Sequence, residues 1–193
     1  MIEADTSAYL ELQLVQAQME GNLALHASLT SVAARHCLAL GYHREERMMH
    51  LSPVEAQRAR RLFWRIFIFD KNLSLRLGRA PIIQDYDVDV KQWILSQDPG
   101  DSPWDQIFTA LVEFSRIQAQ IYQLLYSPSS NSLDASKRQS LIDHLSTSLT
   151  RWRDRWQRID ASKAYCRETM TSILEPTEVT YYSVLTILHR GAN

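Results

Sequence analysis

Apolar residues along this chain recur at intervals of three and four, the spacing of one face of an α-helix. An alternating apolar pattern long enough to predict a sheet does not occur. The sequence therefore predicts an all-α single domain of about six packed helices. The predicted helices cover approximately residues 6–20, 22–40, 52–77, 102–126, 135–158 and 176–190.

The third helix has the clearest predicted boundaries. Ser52 and Glu55 have the spacing of a capping box, and Pro53 between them favours the first helical turn. Gly78 can adopt the left-handed conformation that ends a helix. A wide apolar stripe predicts that this helix is central and buried. Its members are Leu62, Phe63, Ile66, Phe67, Phe69, Leu73 and Leu77.

The periodicity stops over residues 79–101, which we call the acidic segment, and these residues predict an irregular strap between the third and fourth helices. Residues 85–105 contain six Asp and one Lys, whereas residues 53–79 contain seven Arg or Lys and two acidic residues. This contrast predicts that the acidic segment folds back beside the third helix. Exposed charge pairs of this kind contribute about 0–1 kcal/mol each, so their role would be to fix position.

Asp70 lies on the apolar face of the third helix by its spacing from Ile66 and Phe67. An unpartnered buried carboxylate is costly, so Asp70 needs an arginine partner or amide donors. The arginine candidates are Arg61, Arg79 and Arg44, among which the sequence does not choose. A structural buried charge is favoured over a catalytic or ligand-binding acid.

Composition and charge exclude several classes of protein. The chain has 193 residues with 21 Lys and Arg against 22 Asp and Glu, which leaves no overall attraction to nucleic acid. Its five glycines are never clustered, which excludes the phosphate-binding loops. With two cysteines and no long apolar run, we expect an intracellular protein with reduced thiols and no membrane contact.

Metal binding has little support in the sequence. Asp85, Asp87 and Asp89 have the spacing of the first half of a calcium loop, but Val90 and Ser96 stand where that loop needs Gly and Glu. A loose group of histidines and one cysteine lacks the spacing of metal ligands. Its members are His36, Cys37, His43 and His50. We therefore expect no metal and no cofactor in this chain.

Catalytic and nucleic-acid motifs are also lacking. The sequence has no nucleophile elbow, zinc-protease helix or diphosphate-binding carboxylate pair, so an enzyme is not expected. The basic and aromatic stretch 151–156 could be a stacking platform for bases. However, Trp152 and Trp156 continue the stripe of Leu145 and Leu149, which favours core packing.

Three blocks in order resemble the fungal-specific transcription factor domain, the middle homology region of fungal zinc-cluster transcription factors. They are LALGYHRE (38–45), RRLFWRIFIFD (60–70) and LSLRLGRAPIIQDYDVDV (73–90), and YYSVLTILHR (181–190) is similar to a later helix of the family. The chain departs from the family pattern at Phe63, where a Trp is often found, and at Ala80 and Gly191, where Pro is common.

The resemblance implies a nuclear regulatory domain, covering residues 1–193 and truncated at one or both ends, that controls transcription without reading DNA. It implies that zinc and DNA contacts belong to an N-terminal cluster absent from this chain. The expected partners are a small-molecule inducer, a second copy of the chain, and transcription machinery or co-regulators. The alternative is a helical ligand-binding or biosynthetic enzyme-like domain.

The family signature implies structural roles in helix packing, charge pairing, helix termination and turn rigidity. The signature positions are Arg60, Arg61, Trp64, Asp70, Gly78, Arg79 and Pro81.

Overall fold

The computed structural model describes residues 21–92 and 94–191, and these contain six α-helices and no strand. The all-α prediction is confirmed. The helix predicted at residues 6–20 lies outside the described residues. The helices are α1 (Leu23–Ala39), α2 (Glu45–Met49), α3 (Pro53–Leu77), α4 (Ser102–Ile121), α5 (Ala135–Trp156) and α6 (Arg167–Arg190).

The described chain forms two compact units. The first contains α1, α2 and α3 together with Pro81–Ile94, and α1 packs along α3. The second contains Gly78–Ala80 and the residues from Leu95 onward, with α4, α5 and α6. Of the acidic segment, Pro81–Ile94 therefore lies in the first unit and Leu95–Asp101 in the second.

The central helix α3 begins and ends where its sequence predicts. The backbone N–H of Ser52 donates to Glu55 Oε2 over 3.0 Å, and the N–H of Glu55 donates to Ser52 Oγ over 3.4 Å. These two bonds form the predicted capping box. At the other end Gly78 has a φ of 64°, the left-handed conformation that glycine adopts without strain.

The buried face of α3 is centred slightly away from the predicted stripe. Of the predicted residues, Phe63, Ile66, Phe67 and Leu73 are buried, but Leu62, Phe69 and Leu77 are only half-buried. Trp64 and three polar or charged residues take their place in the core. These three are Asp70, Lys71 and Ser74. The shift shows that polar contacts, and not only apolar periodicity, decide which side of α3 is covered.

The core of the second unit is an aromatic stack, as predicted for the tryptophans of α5. Trp152 stacks on Phe114 at 4.2 Å and on Trp156 at 5.2 Å between ring centroids, while Arg151 and Arg155 are exposed. The indole N–H of Trp152 donates to the Ala110 carbonyl over 2.6 Å. Because this buried donor is satisfied, the stack serves as core and not as a platform for bases.

The guanidinium of Arg138 connects the ends of three segments of the second unit. It donates to the carbonyl oxygens of Leu125, Ser130 and Gly191 over 3.3, 2.9 and 3.1 Å. Leu125 lies in a π-helical turn that extends α4, and Gly191 follows α6. A basic group at these carbonyls also suits the negative ends of the helices.

The start predicted for the last helix, near Pro176, is wrong. Helix α6 begins at Arg167 and contains Pro176 in its interior. A proline removes one backbone donor, but the buried side chain of Met170 anchors the preceding turns and makes the longer helix favourable. A 3-10 turn, Pro128–Ser132, lies between α4 and α5, and the short helix α2 is absent from the predicted set.

Candidate functional site

Asp70 of α3 is buried, at 4% exposure, and holds the acidic segment through the backbone. Its two carboxylate oxygens accept the N–H groups of Ile82 and Ile83 over 3.0 and 2.9 Å. Burial raises the pKa of Asp70 above its ordinary value, while the two amides and the charge of Lys71 oppose that rise. The carboxylate therefore fixes the chain direction just after the turn that follows α3.

Amide donors, and not an arginine, satisfy Asp70. Of the three arginines considered, Arg44 pairs with Asp87, and Arg61 and Arg79 are exposed. Of the two kinds of partner expected for Asp70, an arginine or amide donors, the amide donors are present because the chain turns sharply after Gly78. That turn brings two consecutive backbone N–H groups to the carboxylate, which leaves no need for a cation from a distant element.

Lys71, the next residue, makes the second contact with the same stretch. Its ammonium is 1% exposed, donates to the Ile83 carbonyl over 2.5 Å and lies 2.6 Å from Asp85 Oδ1. It also lies 4.7 Å from the centre of the Phe67 ring, a cation–π contact. Asp70 and Lys71 therefore hold residues 82–85 through backbone groups of Ile82 and Ile83 and through the side chain of Asp85. We call these two residues and their partners the inner clamp.

A second set of contacts lies between the start of α2 and residues 87–91. Arg44 pairs with Asp87, and the carboxylate of Asp89 accepts the N–H of Glu45 over 2.8 Å. Glu45 in turn accepts the N–H of Lys91 over 2.9 Å. We call this set, with His43 and Arg60, the outer clamp.

Glu45 connects the outer clamp to the central helix. Its Oε1 accepts an N–H of Arg60 on α3 over 2.6 Å. Burial opposes ionisation, but the Lys91 amide and Arg60 outweigh it and lower the pKa of Glu45. The indole of Trp64, one turn after Arg60, donates to the Lys91 carbonyl over 3.1 Å. The N–H of Lys91 is thus linked to α3 through Glu45 and Arg60, and its carbonyl through Trp64.

His43 lies inside the outer clamp. Its carbonyl accepts the N–H groups of both Asp89 and Val90 over 3.1 Å. Its Nε2 is 3.6 Å from Asp87, and burial lowers the pKa of the imidazole despite that carboxylate. The imidazole is therefore neutral near pH 7, and His43 contributes to the outer clamp mainly through its backbone carbonyl.

The aspartates predicted at calcium-loop spacing are occupied with protein partners. Asp85 pairs with Lys71, Asp87 with Arg44, and Asp89 with a backbone N–H. Across residues 21–92 and 94–191, no group of three or more His, Cys, Asp or Glu side chains is arranged to hold a metal ion. No helix in this part of the chain is long and apolar enough to cross a membrane.

Comparison with known proteins shows the family of this chain. The model of the fungal specific transcription factor domain matches residues 8–154, which is more than half of the chain. This chain belongs to that family. The match includes both clamps and the whole of α3.

Curated relatives of this fungal transcription factor domain are transcriptional regulators. An ABC-transporter-regulating transcription factor of Aspergillus oryzae is 27% identical over 175 residues, which cover 84% of this chain and 19% of that protein. Its counterpart in Aspergillus fumigatus is 26% identical over the same shares. An uncharacterised transcriptional regulatory protein of Schizosaccharomyces pombe is 28% identical over 82% of this chain and 22% of its own length. The chain thus spans about a fifth of these relatives. No solved structure matches it significantly.

Three of the seven positions singled out by the family resemblance lie at the clamps. Asp70 belongs to the inner clamp, Arg60 belongs to the outer clamp, and Trp64 donates to the Lys91 carbonyl beside the outer clamp. Gly78 ends α3, and the carbonyl of Pro81 accepts the side-chain N–H of Gln84 over 2.5 Å. Arg61 and Arg79 are exposed, and neither belongs to a clamp.

Three residues that hold the acidic segment were not predicted from the sequence. The sequence places Lys71 in a basic stretch, and its position next to Asp70 inside an apolar helix is itself a signal of a buried polar contact. Glu45 carried no such signal, because its partners are distant in sequence. The side-chain amide of Gln57 forms hydrogen bonds with both the N–H and the carbonyl of Ile94, over 3.2 and 3.1 Å. The sequence around Gln57 contains no signal of this contact either.

Proposed function

We propose that this chain is the regulatory part of a fungal transcription factor, which sets transcriptional output in the nucleus and does not itself read DNA bases. The observation that carries the proposal is the family match over residues 8–154. DNA is contacted by a zinc-cluster element elsewhere in the full-length protein. Co-regulators or the transcription machinery receive the output of the regulatory part.

The two clamps suggest how such a domain regulates. Residues 81–92 are held on α2 and α3 by hydrogen bonds and ion pairs and by the buried side chains of Ile83 and Val90. A second position of this segment would lose both kinds of contact, so it is populated only when a ligand or partner stabilises it. The position of residues 81–92 on α3 is the variable that transcriptional output follows.

The test uses the full-length protein in a reporter strain. Asp70→Ala removes the acceptor of two buried amides and should change reporter output at least several-fold, in either direction. Occupancy of the target promoter should stay near wild type because the base-reading element is elsewhere. Asp154→Ala, an exposed carboxylate on α5, is the matched control. Unchanged output from a folded Asp70→Ala protein, or a loss of promoter occupancy that explains the output, contradicts the proposal.

The isolated chain tests the second half of the proposal. With a net charge of −1 it has no long-range attraction to phosphate, so duplex DNA should bind only weakly and without sequence preference. Fluorescence anisotropy at about 0.15 M salt measures this, since weaker screening would exaggerate surface charge. Sub-micromolar, sequence-dependent binding would show that the chain reads bases itself.

A second candidate, small-molecule sensing, is favoured by two polar atoms on α1. His26 Nε2 and Thr30 Oγ1 are buried one helical turn apart, and within the described chain neither has a hydrogen-bond partner. His26 packs edge-on against Phe69 of α3 at 5.1 Å. Unsatisfied buried polar groups are rare in folded proteins, and a polar ligand that reaches both atoms would satisfy them.

Thermal shift experiments separate this candidate from simple packing. A panel of small hydroxylated and carboxylated metabolites should include compounds that raise the Tm of the wild type. The isosteric Thr30→Val change should remove that effect. If no compound shifts the wild type and Thr30→Val itself raises the Tm, the two atoms are a packing imperfection and not a site.

A further inference from the structure

Helix α6 has two different faces. One is buried in the core of the second unit, through Met170, Thr177, Tyr181, Val184 and Leu188. The opposite face, which we call the outer face, consists of exposed residues at three- and four-residue steps. Its members are Glu175, Val179, Tyr182, Thr186 and Arg190, with Ser183 beside them. Val179 is 68% exposed and Tyr182 49%.

Tyr182 is exposed and yet fixed in place. Its hydroxyl accepts an N–H of Arg153 over 2.8 Å, and the same guanidinium is held by two bonds to Glu178, of 2.8 and 2.6 Å. The ring meets that of Tyr181 edge-on at 5.2 Å, with Arg153 5.2 Å from its centre. An aromatic side chain already ordered before binding loses little entropy on contact, which is the property of an interface anchor.

The charges on the outer face are arranged for a copy of itself running in the opposite direction. Glu175 and Arg190 are fifteen residues apart, about 22 Å along the helix axis. If a two-fold axis passes between Tyr182 and Ser183, each Glu175 faces the Arg190 of the partner copy. In the same register Val179 faces Thr186 and Tyr182 faces Ser183. A parallel arrangement would instead place like charges opposite each other.

We propose that two copies of this chain associate through the outer faces of α6, packed antiparallel about this two-fold axis. Such an interface is isologous, so each contact occurs twice. The short side chains of Ser183 and Thr186 let the helices approach closely, so that Tyr182 and Val179 are covered. The two Glu175–Arg190 pairs set direction and register, as charges do at other helix pairs. The inference concerns assembly and stands apart from the proposed function.

Sedimentation velocity on the purified chain over a range of concentrations tests this pairing. The wild type should change from monomer to dimer as concentration rises. Glu175→Arg and Arg190→Glu each turn two attractive pairs into two repulsive ones, so each should raise the dimer dissociation constant about tenfold or more. Arg151→Glu, an exposed charge change on α5, should leave the constant unchanged. Circular dichroism melts check that every variant is folded.

Mixing the two charge-reversed variants is the decisive step. In an antiparallel pair Arg at 175 of one chain meets Glu at 190 of the other, and the native Glu175 of the second meets Arg190 of the first. The mixture should therefore dimerise nearly as well as wild type, although neither variant does so alone. A wild type that stays monomeric, single variants that dimerise normally, or a mixture that stays monomeric would each overturn the proposal.

Discussion

The inner and outer clamps join the same two parts of the molecule with the same kinds of group, yet they differ in burial. In the inner clamp Asp70 and Lys71 are 4% and 1% exposed, and Asp70 meets backbone amides. In the outer clamp Arg44 and Asp87 are open to solvent, with side chains 46% and 40% exposed. Removing Asp70 or Lys71 leaves unsolvated groups, whereas water replaces Arg44 or Asp87 when either is removed. Stability should therefore depend on the inner clamp, and adjustable contacts should lie in the outer one.

Asp70→Ala should have the largest effect on stability. It leaves the N–H groups of Ile82 and Ile83 without an acceptor and Lys71 without a neighbouring negative charge on α3. Losing one side of a buried charged contact costs about 3–5 kcal/mol. Urea unfolding measures the loss, with the exposed Asp154→Ala as control.

Asp70→Asn sharpens the same comparison. In the amide, an NH₂ donor replaces one of the two oxygens that accept these backbone N–H groups, so one N–H group faces a donor and loses its bond. We expect a smaller loss of about 1–3 kcal/mol in the free energy of unfolding, the usual cost of one unsatisfied buried group. A variant as stable as wild type would indicate that Asp70 has a chemical role and not a structural one.

Lys71→Met should be comparable or slightly milder. Methionine fills much of the same volume but leaves the Ile83 carbonyl without its donor. Asp85 is 44% exposed, so water can solvate its charge once the ammonium is gone. Urea unfolding should show a loss of about 1–2 kcal/mol. A loss as large as that of Asp70→Ala would mean that the cation, and not the carboxylate, anchors the segment.

Glu45 should make the outer clamp sensitive to pH. Since its pKa is lowered in the folded chain from an ordinary value of 4.5, the folded state favours the carboxylate. Its contribution is present above pH 4.5 and is lost as the pH falls through the lower, folded-state pKa. The difference in unfolding free energy between wild type and Glu45→Gln should therefore shrink in that window. A difference that stays constant from pH 7 down to pH 3 would show that ionisation of Glu45 does not matter.

Arg44→Ala should have the smallest effect, about 0–1 kcal/mol, because its pair with Asp87 is exposed. Moderate salt should reduce even this difference, since the pair is screened. Thermal melts of wild type and variant at low and high salt give the comparison. A cost above that of Lys71→Met would reverse the ranking of the two clamps.

Local features were predictable from sequence, whereas long-range polar partners were not. The capping box of Ser52 and Glu55 and the turn at Gly78 depend only on residues a few positions apart. The burial of Asp70 followed from helical spacing. Its partners depend on where the chain returns after the turn, which no periodicity encodes. Helix α6 was predicted too short because Pro176 is a strong local stop signal that the packing of Met170 overrides.

Hydrogen exchange of the Ile82 and Ile83 amides tests the central claim most directly. Both residues lie outside any helix, and the acceptor of each N–H group is the carboxylate of Asp70. In the wild-type chain NMR should show both amides exchanging slowly, and in folded Asp70→Ala they should exchange much faster while the interior amides of α4 and α5 remain protected. Fast exchange of these two amides in the wild type would contradict the inner clamp and the account built on it.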